Sequence, residues 1–206
     1  MGIDEKMQAQ GGCPSGSVGR FFGFLMNNVH KGVYKFGLEL VEFKGNENVL
    51  DIGCGGGALI KEMTKRAALG RVYGIDHSED MVKLAAKKNR KSKNVEIKNA
   101  SVSKLPFEDN SFDIVTAFET IQFWPDIEND LREVWRVLKP EGVFVIANRF
   151  PEEGSNWAGF LTFKNEDEYV EALNGAGFGD VNADTETKKG WIRIAVRKQS
   201  IKHKKS

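Results

Sequence analysis

The run Val49-Leu50-Asp51-Ile52-Gly53-Cys54-Gly55-Gly56-Gly57 joins a short apolar stretch to four glycines in five positions. Glycine reaches backbone conformations closed to other residues and places no Cβ between the chain and a bound molecule. Residues 49–52 read as a strand, and Ala58 to Ala68 has helical periodicity, so the glycines fill a strand-to-helix turn. The N–H groups of that helix start, with their partial positive charge, face the turn. A glycine-rich turn without a ligand is the plain alternative; four glycines directly after a strand count against it.

Outward from this turn, short apolar runs alternate with helical stretches. Strands are predicted at 71–75, 94–98, 112–117 and 142–148, with two more near 178–184 and 190–197; helices are predicted at 78–89, 127–138 and 165–175. Such alternation predicts a mostly parallel sheet with helices on both faces, a doubly wound α/β fold that binds ligands at the carboxyl ends of its strands. Upstream, Phe22, Leu25, Met26, Val29, Val33, Phe36 and Leu40 recur at helical spacing. Gly32 and Gly37 interrupt that pattern, predicting one broken helix or two short ones. Residues 1–17 read as a flexible tail.

The bulk composition narrows the classes. The chain has 206 residues, 40% of them hydrophobic, enough for one sizeable domain. Thirty Lys and Arg against 29 Asp and Glu leave a net charge of +1, so nothing global marks a nucleic-acid binder. The basic residues from Lys198 to Lys205 lack the interleaved aromatics that stack bases and read as a solvated tail. Cys13 and Cys54 form neither a disulfide framework nor a metal-ligand spacing, and no metal is expected. No apolar run approaches the ~20 residues of a membrane span, and no signal-peptide pattern opens the sequence. The expected compartment is the reducing cytoplasm.

Two carboxylates flank the glycine turn. Asp76 ends the strand Val72-Tyr73-Gly74-Ile75-Asp76, where it can accept hydrogen bonds from ribose hydroxyls or favour the start of the next helix. Gly53-x-Gly55-x-x-Ala58 also satisfies the dinucleotide pattern, which keeps a nicotinamide-dependent oxidoreductase as a competing reading. Asp51 opposes it. A carboxylate aimed at a pyrophosphate repels it, whereas the same group suits a ligand carrying an ammonium and a sulfonium.

From Asn48 to Lys198 the chain resembles the class I S-adenosylmethionine-dependent methyltransferases, in particular the group around the ubiquinone/menaquinone-biosynthesis type. The likeness rests on residues 49–57, then Gly74-Ile75-Asp76-His77-Ser78-Glu79-Asp80-Met81. It continues through Leu105-Pro106-Phe107, Asp109-Asn110-Ser111-Phe112-Asp113, Glu133-Val134-Trp135-Arg136-Val137-Leu138-Lys139-Pro140-Glu141-Gly142 and Ala176-Gly177-Phe178. The resemblance implies a Rossmann-like sheet of seven strands in the order 3-2-1-4-5-7-6 with an antiparallel last strand. It divides the chain into the 1–17 tail, an N-terminal helical segment at 18–44 that can cover the acceptor site, a methyltransferase domain at 45–198 and a basic tail at 199–206. Its cofactor, S-adenosyl-L-methionine, would lie on Asp51, Gly53, Cys54 and Gly55, with Asp76 on the ribose. His77 and Met81 would flank the adenine, Ser101 and Val102 would meet its edge, and Phe118 would lie near the methionine portion. Ser101 departs from the acidic residue that many relatives carry before the small adenine-contacting one.

The expected chemistry is in-line methyl transfer to an unidentified, small-molecule acceptor. A sulfonium is already a good leaving group, so alignment and exclusion of water do most of the work. Glu119, beside Gln122, and His30 are the candidate proton acceptors, each with a packing or solvated role as the alternative. Phe118, Phe123 and Trp124 could wall an acceptor pocket or belong to the core. Cys54, between two glycines, reads as a small side chain and not a nucleophile. A cofactor-binding regulatory protein without turnover is the third reading. The acceptor and the oligomeric state are not encoded in these patterns.

Overall fold

The structure is a computed structural model that describes residues 31–150, 161–186 and 190–199. His30, Cys13, the upstream stripe from Phe22 to Val29 and both terminal tails lie outside the described residues.

Seven strands form one sheet in the order β3-β2-β1-β4-β5-β7-β6. They are β1 (Asn48–Ile52), β2 (Arg71–Asp76), β3 (Val95–Asn99), β4 (Phe112–Phe118), β5 (Leu138–Arg149), β6 (Gly179–Glu186) and β7 (Trp191–Arg197). The first five pair in parallel, and β7 runs antiparallel to β5 and β6. Burial on both faces explains the mainly apolar character of β1 and β4, in which Val49, Leu50, Ile52, Ile114, Val115, Ala117 and Phe118 are all buried. In β7, Ile192, Ile194 and Val196 are buried and alternate with Arg193 and Arg197, as the period of a strand requires.

Among the described residues five helices cover the sheet: α1 (Lys31–Leu38), α2 (Ala58–Arg66), α3 (Glu79–Asn89), α4 (Ile127–Val137) and α5 (Glu166–Gly175). On one face, Val33 and Leu38 of α1 share a core with Ile60 and Met63 of α2 and with Val49 and Val145 of the sheet. On the other, Leu131 and Val134 of α4 and Leu173 of α5 pack on Leu50, Phe144 and Ile146. Ser78, Asp126 and Asn165 cap α3, α4 and α5 by accepting backbone N–H groups. No side-chain cap bonds the start of α2, which follows Gly57 directly and directs its first N–H groups at the glycine turn.

One strand boundary is corrected, and the two helix glycines gain a role. Helix α1 is short, with Gly32 next to its first described residue and Gly37 next to its last, and both glycines are contact points. A Cβ at Gly32 would stand 2.4 Å from the Trp191 ring, and one at Gly37 would stand 2.5 Å from the Phe118 ring. Their missing side chains let the helix lie close on β4 and β7. Strand β5 starts at Leu138, not at 142: Leu138 pairs with Phe112 before a bulge, and the regular register resumes at Ile114 with Val143. Glu141, at φ 64, makes the turn inside that bulge.

Candidate functional site

The glycine turn, the ends of β1, β2 and β4, and helix α1 converge at the carboxyl edge of the sheet. Gly53, Gly55 and Gly57 all have positive φ (70, 49 and 72), so the turn needs glycine for its backbone alone. Their surroundings separate their roles. A Cβ at Gly53 would strike Thr120 Oγ1 at 2.2 Å, and one at Gly57 would meet Asn89 and Ala85 of α3. A Cβ at Gly55 would meet nothing within 4 Å. Gly53 and Gly57 are therefore close-packing positions, and Gly55 borders open space.

Asp76 organises the turn from the neighbouring strand. Its Oδ2 accepts the Gly55 N–H and its Oδ1 accepts the Ser78 N–H, both at 2.9 Å. Burial raises its pKa against the effect of these two bonds. Each oxygen keeps a further lone pair for a ligand hydroxyl. The helix-capping alternative falls to Ser78, whose Oγ accepts the Met81 N–H at 3.4 Å.

Asp51 lies almost wholly buried at the end of β1, where Thr116 Oγ1 of β4 donates to its Oδ1 at 2.7 Å. Desolvation outweighs that bond and pushes its carboxyl up to about 7. Cys54 points away, with its sulfur facing Gly74, and burial raises its thiol well above the ordinary range, so its side chain is inert packing.

Of the remaining expected positions, His77 is exposed beside the turn and Met81 is fully buried beneath it. Ser101 is exposed and accepts the Ser103 N–H at 3.2 Å, starting a short 3-10 turn, and Val102 packs into the core. Phe118 is buried, with its ring 6.3 Å from that of Tyr34. Trp124 is core, stacked on Phe144 at 6.5 Å, whereas Phe123 is 39% exposed.

Glu119 follows β4 in a left-handed conformation (φ 58), an uncommon state for a non-glycine residue. Its carboxylate is buried 3.3 Å from Arg149 Nε, and burial outweighs that cation to push its pKa to about 7. Around it, Gln122 Nε2 donates to the Glu119 carbonyl (3.0 Å), and Asn148 Nδ2 donates to Gln122 Oε1 (2.9 Å) and to the Tyr169 hydroxyl oxygen (3.3 Å). Burial moves the Tyr169 hydroxyl up to about 12, which keeps it protonated.

Sequence reasoning missed Tyr34. From α1 its hydroxyl lies within electrostatic reach of Asp51, Glu119 and Cys54, and burial with those carboxyls keeps it protonated. Thr116 was the more findable omission, a hydroxyl inside the apolar run Ile114-Val115-Thr116-Ala117. Arg149, Asn148 and Tyr169 carry no local signal. A cavity of about 430 Å³ lies between Asp109, Trp135, Arg136 and Lys198. It gathers neither the glycines nor the buried carboxyls, and Lys198 Nζ is engaged there by the Asn110, Trp135 and Leu138 oxygens at 2.8–2.9 Å.

Residues 50–146 match the family described as a methyltransferase domain. That stretch, just under half of the chain, holds the glycine turn, Asp51 and Asp76. A demethylmenaquinone methyltransferase of Staphylococcus saprophyticus is 32% identical to this chain over 132 residues, 64% of the chain and 57% of that relative. The phosphoethanolamine N-methyltransferase 2 of Caenorhabditis elegans is 30% identical over 177 residues, 79% of the chain and 40% of that relative. The chain thus spans about half the length of these curated relatives. A crystal structure of a SAM-dependent methyltransferase from Aquifex aeolicus superposes with a TM-score of 0.77 at 24% identity, covering 87% of this chain and 98% of that one, which establishes the shared fold. Among the described residues no helix is long and apolar enough to cross a membrane, and no acid, histidine or cysteine cluster fits a metal ion.

Proposed function

We propose that the protein transfers a methyl group from S-adenosyl-L-methionine to a small-molecule acceptor. The open space at Gly55, between the buried Asp51 carboxyl and the Asp76 clamp, carries this reading. The donor set fits the cofactor: carboxylates suit its ribose hydroxyls and its cationic methionine end, and would repel a pyrophosphate.

In this reading Asp76 holds the ribose, and Asp51 with the backbone of Gly53, Cys54 and Gly55 holds the methionine portion. His77, Met81, Ser101 and Val102 border the adenine, and Phe118 closes the floor. When bound, the cofactor supplies an electrophilic methyl on a sulfonium. The chain's part is to align the acceptor and exclude water, and Tyr34 and Phe118 provide the cover. Glu119, near neutral pKa and buried against Arg149, accepts a proton from an acceptor that must lose one. Helix α1 is then both packed on the sheet and part of the acceptor wall.

Titration calorimetry with S-adenosylmethionine, its demethylated product and NAD tests the proposal. Binding of the first two with little response to NAD is expected. Tight NAD binding with no response to S-adenosylmethionine would overturn it in favour of oxidoreduction. Cofactor binding without product in a methyl-transfer screen over quinol, amine and phosphobase acceptors would favour the regulatory reading.

A further inference from the structure

The opposite edge of the sheet carries an organised positive charge that the cofactor site does not use. There the loop from α2 to β2 and the loop from α3 to β3 are joined. Val72 N–H donates to Asn94 O at 2.8 Å, and Asn94 Nδ2 donates to Ala67 O at 3.0 Å. The Leu69 N–H donates to Gly45 O at 2.7 Å, bringing the segment before β1 alongside. Lys44, Arg71, Arg90, Lys91 and Lys93 are exposed on this rim, and among the described residues no ion pair joins any of them to a carboxylate. Three nearby acids are engaged elsewhere, Glu47 with the backbone of Lys44 and Gly45, Glu62 with Lys65 and Arg66, and Glu96 with Lys98, and Glu42 is exposed on the segment before Lys44. Among these cations stands Leu69, 87% exposed.

Cations at the C-terminal ends of α2 and α3 are expected from the partial negative charge of helix ends. That does not account for Lys44, Lys91 and Lys93, which lie in loops beyond the helices, or for Arg71, which opens β2. In a chain of net charge +1, unpaired cations around one bare leucine complement an anionic headgroup layer. Nucleic acid would use the cations but also wants exposed rings to stack on. The aromatics here are committed: Tyr73 packs edge-on against Phe107 and Phe112, and Phe43 lies under Arg66.

We propose that this pole docks on an anionic lipid bilayer, with Leu69 entering the headgroup boundary and the surrounding Lys and Arg residues contacting lipid phosphates. Strand β2, six residues long, separates this pole from Asp76 by about 17 Å, so docking leaves the cofactor site facing water.

Co-sedimentation of the full chain with vesicles of phosphatidylcholine, alone or mixed equally with phosphatidylglycerol, tests this. Binding to the mixed vesicles only, weakening with added salt, is expected. Replacing Lys91 and Lys93 together by Ala should weaken it by at least about tenfold. Leu69→Ser should weaken it several-fold without changing the salt dependence. Unchanged binding of S-adenosylmethionine to these variants checks that they are folded. Equal binding to neutral and anionic vesicles, or binding to neither, overturns the proposal. So does loss of binding on replacing Lys202, Lys204 and Lys205 when the Leu69 and Lys91/Lys93 variants bind normally. Single-stranded RNA that displaces the vesicles and binds Leu69→Ser as well as wild type would assign the face to nucleic acid.

Discussion

Thr116 donates its hydroxyl to the buried carboxyl of Asp51 across the β1–β4 ladder, at 2.7 Å, and this single bond does not offset the loss of water around the acid. A group pushed up to about 7 is half neutral at physiological pH. If Asp51 faces the cationic end of the cofactor, binding favours its ionised form. Affinity for S-adenosylmethionine should therefore rise from about pH 6 to about pH 8, with proton release visible as a buffer-dependent heat in calorimetry. A pH-independent affinity would remove Asp51 from the site.

The same burial has a stability consequence of fixed sign. The folded-state pKa of Asp51 lies above its ordinary 3.8, so the native state binds more protons and the contribution of Asp51 to stability falls as pH rises from about 4 to about 7. Asp51→Asn removes that cost and can still accept the Thr116 bond. The ligand-free variant should unfold later than wild type in urea at about pH 8, by on the order of 2 kcal/mol, while binding the cofactor at least about tenfold more weakly. Lower stability at that pH would show that Asp51 is well compensated.

The glycines should separate folding from binding. Gly37→Val forces a side chain into Phe118 and Ala147, whose atoms already stand 2.5 and 2.7 Å from a Cβ, and should cost about 1–3 kcal/mol in thermal unfolding. Gly55→Val enters open space. Its positive φ makes the change mildly strained, so the protein should fold with a modest loss, about 1–2 kcal/mol, yet fail to bind cofactor. Normal binding by Gly55→Val would mean the turn is not the site.

Tyr34→Phe keeps the ring against Phe118 and removes only the hydroxyl near Asp51 and Glu119. Stability should change by less than about 1 kcal/mol, while kcat with a responsive acceptor falls about tenfold or more. Glu119→Gln should flatten the acidic limb of the pH–rate profile, where the rate rises with pH and whose apparent midpoint is expected near 7. An unaltered profile would leave Glu119 as a structural partner of Arg149.

Ser101→Asp should tighten cofactor binding about fivefold, because a carboxylate accepts the adenine amino group more strongly than a hydroxyl. Asp also caps a helical turn, so the Ser103 contact survives the change. The gain should vanish with an inosine analogue of the cofactor; equal affinities throughout would show that Ser101 does not face the base.

What local sequence carries is local physics. The alternation of apolar runs, the glycines after Ile52 and the arginine-flanked period of Trp191 to Arg197 are short-range patterns, and strand order, turn conformation and the antiparallel last strand were legible in them together with the family likeness. Asp51 and Asp76 stood out for the same reason, each ending a strand next to a turn. Which glycine faces open space was not legible, since Gly53 and Gly55 differ only in what lies across from them, Thr120 in one case and nothing in the other. Nor was the purpose of Gly32 and Gly37, which weaken a helix in isolation and here allow close contact with Trp191 and Phe118. The burial of Glu119 against Arg149 and within electrostatic reach of Tyr34 joins the end of β4 to β5 and α1. A carboxyl's pKa and a glycine's purpose depend on what surrounds them, and those surroundings are assembled by long-range packing that no local pattern encodes.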